Sequence, residues 1–270
     1  MTPPRPPEGP GKKGAAVLGL LSLVPACSLV LDYDEDAGSI VLELRILQAN
    51  TEREPLALVL DGRGTGLRSP GAAGTATRFV ELPLSRSQID EDLPLALVDA
   101  SGPGPPLEVV AAARPLRVSE VGPRRRPITI FVWENAQGDL VLDHAGDRRG
   151  PLEEPELNVG LRLLHLEPRF PVVGVYALDA SEEVAVAVVS LGGASPFSEF
   201  PFFLARWGLD TDPALDLGAD LEATYPQLPR GEWITIAVTP LSGQPGTQSL
   251  LLFDDGQLEV VPTAPIPEAP

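Results

Sequence analysis

Residues with reactive side chains are scarce in this sequence. Its 270 residues include one cysteine, one methionine and two histidines, and both lysines, Lys12 and Lys13, lie near the N-terminus. A single cysteine excludes an intramolecular disulfide, and the rest of the chain has no lysine for a Schiff base or a phosphate-binding loop. The patterns H-E-x-x-H and G-x-S-x-G are both absent. The sequence therefore gives no support for these classes of enzyme.

Basic residues are outnumbered by acidic ones. The chain has 20 lysines and arginines against 38 aspartates and glutamates, a formal net charge of −18. A surface of this sign repels nucleic-acid phosphates, so we predict no nucleic-acid partner. The basic run Arg124, Arg125 and Arg126 precedes Pro127 and predicts a loop at the start of a strand. Contact with an anion or a lipid headgroup is one interpretation of this run, and a solvated loop is the simpler one.

Long helices are disfavoured as well, because the chain has 26 glycines and 31 prolines and both residues destabilise helix interiors. Alternation of apolar and polar residues is present instead. In residues 40–46, 128–132 and 234–238 every second residue is apolar, as in a strand with one buried face. A longer alternation covers residues 215–225. The expected fold class is all-β.

The N-terminal residues have the pattern of a secretory signal. Arg5, Lys12 and Lys13 precede an apolar run at residues 15–24, which is shorter than the roughly 20 residues of a membrane-spanning helix. A basic segment followed by a short apolar segment is typical of a signal peptide. Residues 1–26 are therefore predicted to be removed.

The end of this segment resembles the bacterial lipobox, with Val24, Ala26 and Cys27 in the lipobox positions and Pro25 as a departure from its pattern. The resemblance implies cleavage between Ala26 and Cys27, acylation of Cys27 and anchoring in membrane lipid. Ser28 after the cysteine implies the outer membrane of a bacterial envelope. The alternative is a buried free cysteine in an uncleaved apolar segment. Residues 27–37, rich in acids, are interpreted as a solvated tether.

Three blocks of sequence recur in the same order, which indicates two copies of one unit. We expect two β-sandwich domains of the Greek-key type, residues 38–150 and 157–262, because short strands alternate with Gly- and Pro-rich turns. A linker at 151–156 and a Pro-rich tail at 263–270 complete the division. The recurring blocks are 44–48 with 161–165, 74–83 with 192–201, and 127–132 with 233–238.

The second copy resembles the exported bacterial repeat called domain of unknown function 4397. The resemblance covers nearly all of the chain after Cys27. The first copy departs further from the pattern of the repeat, because Gln48 stands at the position of His165 and Thr51 at the position of Pro168. The resemblance implies an immunoglobulin-like β-sandwich, and it implies no known activity. The matching residues are Arg162, His165, Pro168, Val175, Tyr176, Gly192, Ser195, Pro196, Phe197, Thr235, Val238, Asp254 and Asp255.

Two of these residues, His165 and Ser195, are of the kinds used in catalysis. His165 alternates with apolar neighbours, so it is interpreted as a core or edge histidine satisfied by the backbone, with ligand contact as the alternative. Ser195 has no activating base near it in sequence, so it is not expected to be a nucleophile or to contribute much to stability. Phe79 and Phe197, which follow the repeated turns, are expected to be buried rings.

The remaining polar residues include two groups that resemble metal ligands. His144 lies between Asp143 and Asp147 in a segment that is interpreted as a turn, with weak divalent-metal binding as the alternative. Four aspartates, named below, suggest calcium but lack the D-x-D-x-D-G loop pattern. No cofactor and no metal is predicted. The aspartates are Asp210, Asp212, Asp216 and Asp220.

These observations favour a non-catalytic, lipid-anchored envelope protein that acts as a structural scaffold or as a binding or adhesion module. An envelope protein or a glycan is the expected partner, recognised by loops on rigid sheets. The alternative is an envelope hydrolase or glycan-processing accessory with a carboxylate site, since the abundant acids allow any geometry.

Overall fold

The computed structural model describes residues 40–88, 91–99, 108–117, 125–146, 151–177, 184–201, 206–211, 220–224, 228–241, 246–253, 255 and 257–265. All of them belong to one compact unit. Ala26 and Cys27, the tether and most of the tail lie outside the described residues. No helix within the described ranges is both long and apolar enough to cross a bilayer.

Strands of the first half (residues 40–146) pair with one another. The strands are β1 (Ile40–Gln48), β2 (Ala57–Leu60), β3 (Arg63–Arg68), β4 (Thr75–Ala76), β5 (Val80–Leu84), β6 (Asp92–Leu93), β7 (Leu95–Asp99), β8 (Glu108–Ala112), β9 (Leu116–Arg117), β10 (Arg125–Glu134) and β11 (Leu140–Gly146), with a 3₁₀ turn at Arg86–Gln88. One sheet has the order β11-β10-β1-β4, and β5 also pairs with β1 in this sheet. A second sheet has the order β3-β2-β7-β8, and β6 pairs with β9 in a third.

Strands of the second half (residues 158–265) also pair with one another. The strands are β12 (Asn158–His165), β13 (Val172–Ala177), β14 (Val184–Ser190), β15 (Ser198–Pro201), β16 (Arg206–Asp210), β17 (Leu221–Thr224), β18 (Trp233–Pro240), β19 (Thr247–Leu252), β20 (Leu258–Pro262) and β21 (Ala264–Pro265). They form two sheets, with the orders β15-β12-β18-β19-β20 and β14-β13-β16-β17-β21.

The prediction of an all-β sandwich fold is confirmed. The three short alternating segments lie in β1, β10 and β18, and the described part of the longer alternation contains β17. In both halves the first strand pairs in parallel with a later one, β1 with β10 and β12 with β18. Each half has its own apolar core, around Leu44 and Ile130 in the first and around Leu163 and Ile236 in the second.

Two predicted loops are strands, and these interpretations were wrong. Arg125 and Arg126 begin β10 and pair with Val41 and Leu42 of β1, while Arg124 lies outside the described residues. The segment with Asp143 and His144 belongs to β11 and pairs with β10 instead of forming a turn. Arg125 and Arg126 pair with β1, which is distant in sequence, whereas Asp143 and His144 belong to a hairpin with β10, and in both places strand pairing outweighs the local preference of polar residues for loops.

A third apolar cluster joins the two halves. It contains Leu47, Phe131 and Trp133 from the first half together with Leu164 and Leu250 from the second, all at most 5% exposed. The sheet β11-β10-β1-β4 therefore buries both of its faces in this region, one in its own sandwich and the other against the second half. We call the contact between the halves the junction.

Candidate functional site: the junction

Two buried arginines occupy matching positions in the junction. Arg45 on β1 is 1% exposed and Arg162 on β12 is 3% exposed. The Nε of Arg45 donates to Thr129 Oγ1 at 2.9 Å, and the Nε of Arg162 donates to Thr235 Oγ1 at 2.9 Å. Each threonine lies directly beside its arginine in the parallel pair of strands. The first strand of each half is thus fastened to its parallel neighbour by the same side-chain bond.

Each arginine also bonds to the opposite half. Arg45 Nη1 donates to the carbonyl of Phe253 at 2.6 Å, and Arg162 Nη1 donates to the carbonyl of Gly146 at 3.2 Å. The two acceptors occupy equivalent places, because each directly follows the residue that pairs with Thr129 or Thr235. The contact is therefore reciprocal, as at the interface of a two-fold symmetric dimer.

An aromatic ring covers each guanidinium. Arg45 Cζ lies 4.5 Å from the ring centre of Phe79, and Arg162 Cζ lies 4.7 Å from that of Phe197. Both rings are half-buried and do not belong to an apolar core, so the expectation of buried rings was wrong. Instead of filling a core, they shield a buried cation through a cation–π contact.

The repeated turns supply further contacts of the junction. Gly74 and Gly192 have φ angles of 65° and 75°, which favour glycine. Each also faces the opposite half: a Cβ at Gly74 would lie 3.7 Å from Leu250, and one at Gly192 would lie 3.6 Å from Trp133. Both turns are thus packed against the neighbouring half, Gly74 against β19 and Gly192 against β10.

The hydroxyls of these turns bond to the arginine strands. Thr77 Oγ1 accepts from the Ile46 N–H, and Ser195 Oγ accepts from the Leu163 N–H, both at 2.9 Å. Ser195 Oγ also donates to the carbonyl of Pro196. Its hydroxyl is therefore engaged by the backbone of the arginine strand and of its own turn.

The residues that recur in the sequence thus converge on one structure, which has an arginine, a threonine, an aromatic ring, a glycine and a hydroxyl in each half. The repeated blocks contain all of them, but their spacing along the chain gives no sign that they meet. One signal was present in the sequence: Arg45 and Arg162 are each the second residue of a repeated block, which could have indicated that the two arginines have the same structural role.

We expect Phe197→Ala to lower the free energy of unfolding by about 1–3 kcal/mol, from the lost cation–π contact and lost packing. Phe197 also packs edge-on against Trp233, with ring centres 5.1 Å apart. Phe197→Leu, which keeps an apolar cover but no π face, separates the two contributions in urea unfolding curves. A loss equal to that of a fully buried aromatic would contradict the half-buried position.

His165 has the environment of a core histidine. It is fully buried, its Nε2 lies 2.9 Å from the Phe170 carbonyl, and its Nδ1 accepts from the Glu167 N–H at 3.3 Å. These bonds fit the neutral ring protonated on Nε2. Burial lowers the pKa of His165 below its usual value, although the Phe170 carbonyl and the Glu167 charge act in the opposite direction. Ligand contact would require this ring to leave its backbone partners.

The first half uses an uncharged amide at the same place. Gln48 Nε2 donates to the Thr51 carbonyl at 2.7 Å, and its Oε1 accepts from the Gly71 N–H at 2.9 Å. Gln48, which stands where the second half has His165, therefore also provides one donor and one acceptor. The chain itself supplies a non-titrating replacement for His165.

His165→Gln should flatten the pH dependence of stability on the acid side. Because the folded pKa of His165 lies below the unfolded value of about 6.5, the unfolded state binds the proton more readily, and stability falls as the pH drops below 6.5. The loss is at most about 1.4 kcal/mol per pH unit for one group. Urea unfolding of both proteins from pH 7.5 to 5 tests this, and equal slopes would contradict it.

A cleft of about 430 Å³ opens on one side of the junction. Arg114 and Asp143 lie at this cleft and form an ion pair, with Nε 2.9 Å from Oδ1, and Arg114 Nη2 donates to the His144 carbonyl at 3.0 Å. Burial disfavours the charged form of Asp143, but bonds from His144 and the nearby Arg114 outweigh it and lower the pKa of Asp143. The ion pair is therefore charged at neutral pH. Arg162 and Ser195 also line this cleft.

A second cleft, of about 510 Å³, has an acidic lining. Glu232, Asp255 and Glu259 contribute carboxylates from three separate segments of the second half, beside Phe253 and Leu258. None of these acids was singled out by the sequence, because nothing in their spacing distinguishes them from other surface acids.

The remaining candidate residues do not form a site among the described residues. Asp210 is buried and accepts from the Tyr176 hydroxyl at 3.4 Å, whereas Asp220 accepts from Thr211. Asp212 and Asp216 lie outside the described residues. Within the described ranges, no three His, Cys, Asp or Glu side chains are grouped so that they could hold a metal ion.

No protein-family model matches the sequence, and no curated protein matches it.

Proposed function

We propose that this chain is a non-catalytic, lipid-anchored protein of the bacterial envelope, with two immunoglobulin-like β-sandwich domains that act as a rigid scaffold or binding module. The observation that supports it best is the reciprocal junction. Relative motion is the usual expectation for neighbouring domains, unless their interface is large and apolar. Here an apolar cluster and two buried arginines connect the halves.

A rigid pair of sandwiches suits a scaffold, because loops on both halves would be held at a fixed separation. Binding residues are commonly carried by loops on such frameworks. The expected partner is another envelope protein or a glycan. Chemical cross-linking in native envelopes, followed by capture of the full chain, tests this. Recovery of one specific partner with wild type, and its loss when loops on one half are replaced, would support the proposal.

The anchor is tested by labelling cells with a fatty acid. Wild type should carry the label and Cys27→Ala should not, because the thiol of Cys27 is the proposed acylation site. Three acyl chains give stable anchoring, since each buried CH₂ contributes about 0.8 kcal/mol. Ser28→Ala is the matched control and should keep the label. A labelled Cys27→Ala protein, or an intact N-terminus in the membrane fraction, would contradict lipidation.

The alternative of a carboxylate hydrolase is favoured by one observation, the three acids of the 510 Å³ cleft. Glycoside hydrolysis uses two carboxylates on opposite sides of the bond that is cleaved. Release of reducing sugar from envelope glycans that is abolished by both Glu232→Gln and Glu259→Gln would support it. Activity that survives both substitutions would remove this cleft from consideration.

A further inference from the structure

The outermost strand of one sheet in the second half has an unprotected edge. β14 lies at the margin of the sheet β14-β13-β16-β17-β21, and it contains no charged residue and no proline. Charges and prolines on an edge strand normally prevent pairing with a strand of another molecule. Every other edge strand of more than two residues in the described part of the chain has at least one of them. They are Arg63 and Arg68 on β3, Glu81 and Pro83 on β5, Glu108 on β8, Asp143 on β11, Glu199 and Pro201 on β15, and Glu259 and Pro262 on β20.

Two hydrogen bonds show which backbone groups of β14 face outward. The Leu191 N–H donates to the Pro171 carbonyl at 3.0 Å, which continues the pairing of β14 with β13. Successive residues of an antiparallel strand direct their N–H and C=O groups to opposite sides, so Val188 and Ser190 face away from β13. The Ser190 carbonyl agrees with this, since it accepts from the Gly193 N–H at 2.9 Å. Val188 therefore presents a donor and an acceptor at an edge that no described strand covers.

The surface beside this edge is uncharged as well. The side chain of Val188 is 55% exposed. A groove of about 420 Å³ borders β14, and it is lined by residues 187–190, residues 193–196 and Ser198. None of these residues is charged, although the chain has a net charge of −18. The edge therefore offers backbone hydrogen bonds among apolar and small polar side chains.

This edge is complementary to a copy of itself. In an antiparallel pair, two residues that face each other can exchange both of their backbone hydrogen bonds. Val188 of one chain can therefore satisfy the donor and the acceptor of Val188 in a second chain, about a two-fold axis. Charge favours the same partner. A foreign strand selected by an acidic protein would be recognised through opposite charges, and neither β14 nor the groove lining provides any.

We propose that β14 is the surface through which two copies of this chain associate, by antiparallel pairing of the two β14 strands around Val188. The two five-stranded sheets then form one continuous sheet. The proposal goes beyond the proposed function and does not depend on the lipid anchor or on the envelope partner. One pair of seven-residue strands buries little surface, so the dimer is weak and reversible.

Sedimentation equilibrium of the full chain tests this association. Cys27→Ala is used as the background for all proteins, because it removes the proposed lipid. We expect a monomer–dimer equilibrium with a dissociation constant of about 0.1 mM. Because both copies have a net charge of −18, raising sodium chloride from about 0.05 M to about 0.5 M should strengthen the dimer severalfold. An association between opposite charges would weaken under the same change.

Two substitutions at one position make the test specific. Val188→Pro removes the outward N–H, and proline is tolerated in an edge strand where the N–H faces solvent. The monomer should stay folded in urea unfolding curves, while the dimer weakens at least about tenfold. Val188→Lys should have the same effect, because it places two like charges opposite each other.

Matched controls separate the edge of β14 from a general effect of the substitutions. Val188→Thr keeps the N–H and a β-branched side chain, so it should dimerise like the parent protein. Val109→Lys makes the same charge change on the edge strand β8, at a side chain that is 59% exposed, and should also leave the dimer intact.

Amide hydrogen exchange measured by NMR locates the contact. The Val188 amide should exchange rapidly in dilute solution and more slowly as the concentration rises. A protein that stays monomeric up to about 1 mM, or a dimer that survives both Val188→Pro and Val188→Lys, would overturn the proposal. So would protection of the Val188 amide only after envelope extract is added, because the strand that covers β14 would then belong to another protein.

Discussion

Replacing Ile130 with aspartate should unfold the first half of the molecule and leave the second half folded. Ile130 is fully buried in the first core and does not belong to the junction cluster. An unpaired buried carboxylate costs several kcal/mol, in addition to the lost packing, which is a large part of the roughly 5–15 kcal/mol that stabilises a typical domain. The apolar core of the second half contains no residue from the first.

Hydrogen exchange measured by mass spectrometry would report the two halves separately. Peptides from β1 and β10 should lose protection, whereas peptides from β13 and β16 should keep it. Strands β12 and β19 should exchange somewhat faster, because they lose their junction partners. Val109→Asp, at a side chain that is 59% exposed, is the matched control and should leave both halves protected. Loss of protection throughout would mean that the two halves fold only together.

Arg162→Ala should lower the free energy of unfolding by about 3–5 kcal/mol, and Arg45→Ala by a similar amount. Each truncation removes a charged donor from a buried threonine hydroxyl and from a carbonyl of the opposite half. Each also leaves a cavity beneath an aromatic ring. Because the two sites are equivalent, the two losses should agree within the error of the measurement.

Urea unfolding provides the measurement, with Arg117→Ala as the surface control. The Arg117 ion pair is about half exposed on both sides, so its removal should have little effect. Arg162→Met adds information, because an apolar residue of similar length keeps packing beneath Phe197 while it removes the charge and the two hydrogen bonds. If Arg162→Ala is no more destabilising than Arg117→Ala, the arginines do not hold the junction.

The strands could be predicted from the sequence because each has one face in a sandwich, and that face gives the alternation of residues 40–46, 128–132 and 234–238. The junction could not be predicted. In an alternating strand Arg45 lies on the side that normally faces solvent, and here Phe79 and the other half of the molecule cover it. Local patterns contain no information about which surface a second unit will occupy.

The same limit explains the polar segments. Asp143 and His144 have the composition of a turn, and Arg125 and Arg126 that of a loop. Pairing of β10 with β1 and β11 determines their conformation; β1 is far from β10 in sequence, whereas β11 forms a hairpin with β10 that the polar composition of Asp143 and His144 does not reveal. For His165 the alternation with leucines was enough to indicate a core position, because the signal lay within the strand itself.

The parallel pairing of the first strand in each half has a consequence for the order of folding. Arg45 and Thr129 are 84 positions apart, and Arg162 and Thr235 are 73 positions apart. Neither first strand can acquire its parallel neighbour until nearly the whole half has been synthesised. Contacts with such long sequence separation form slowly, on the scale of milliseconds to seconds in proteins dominated by them. A chain emerging from the ribosome would therefore remain open until β10, and later β18, closes each half.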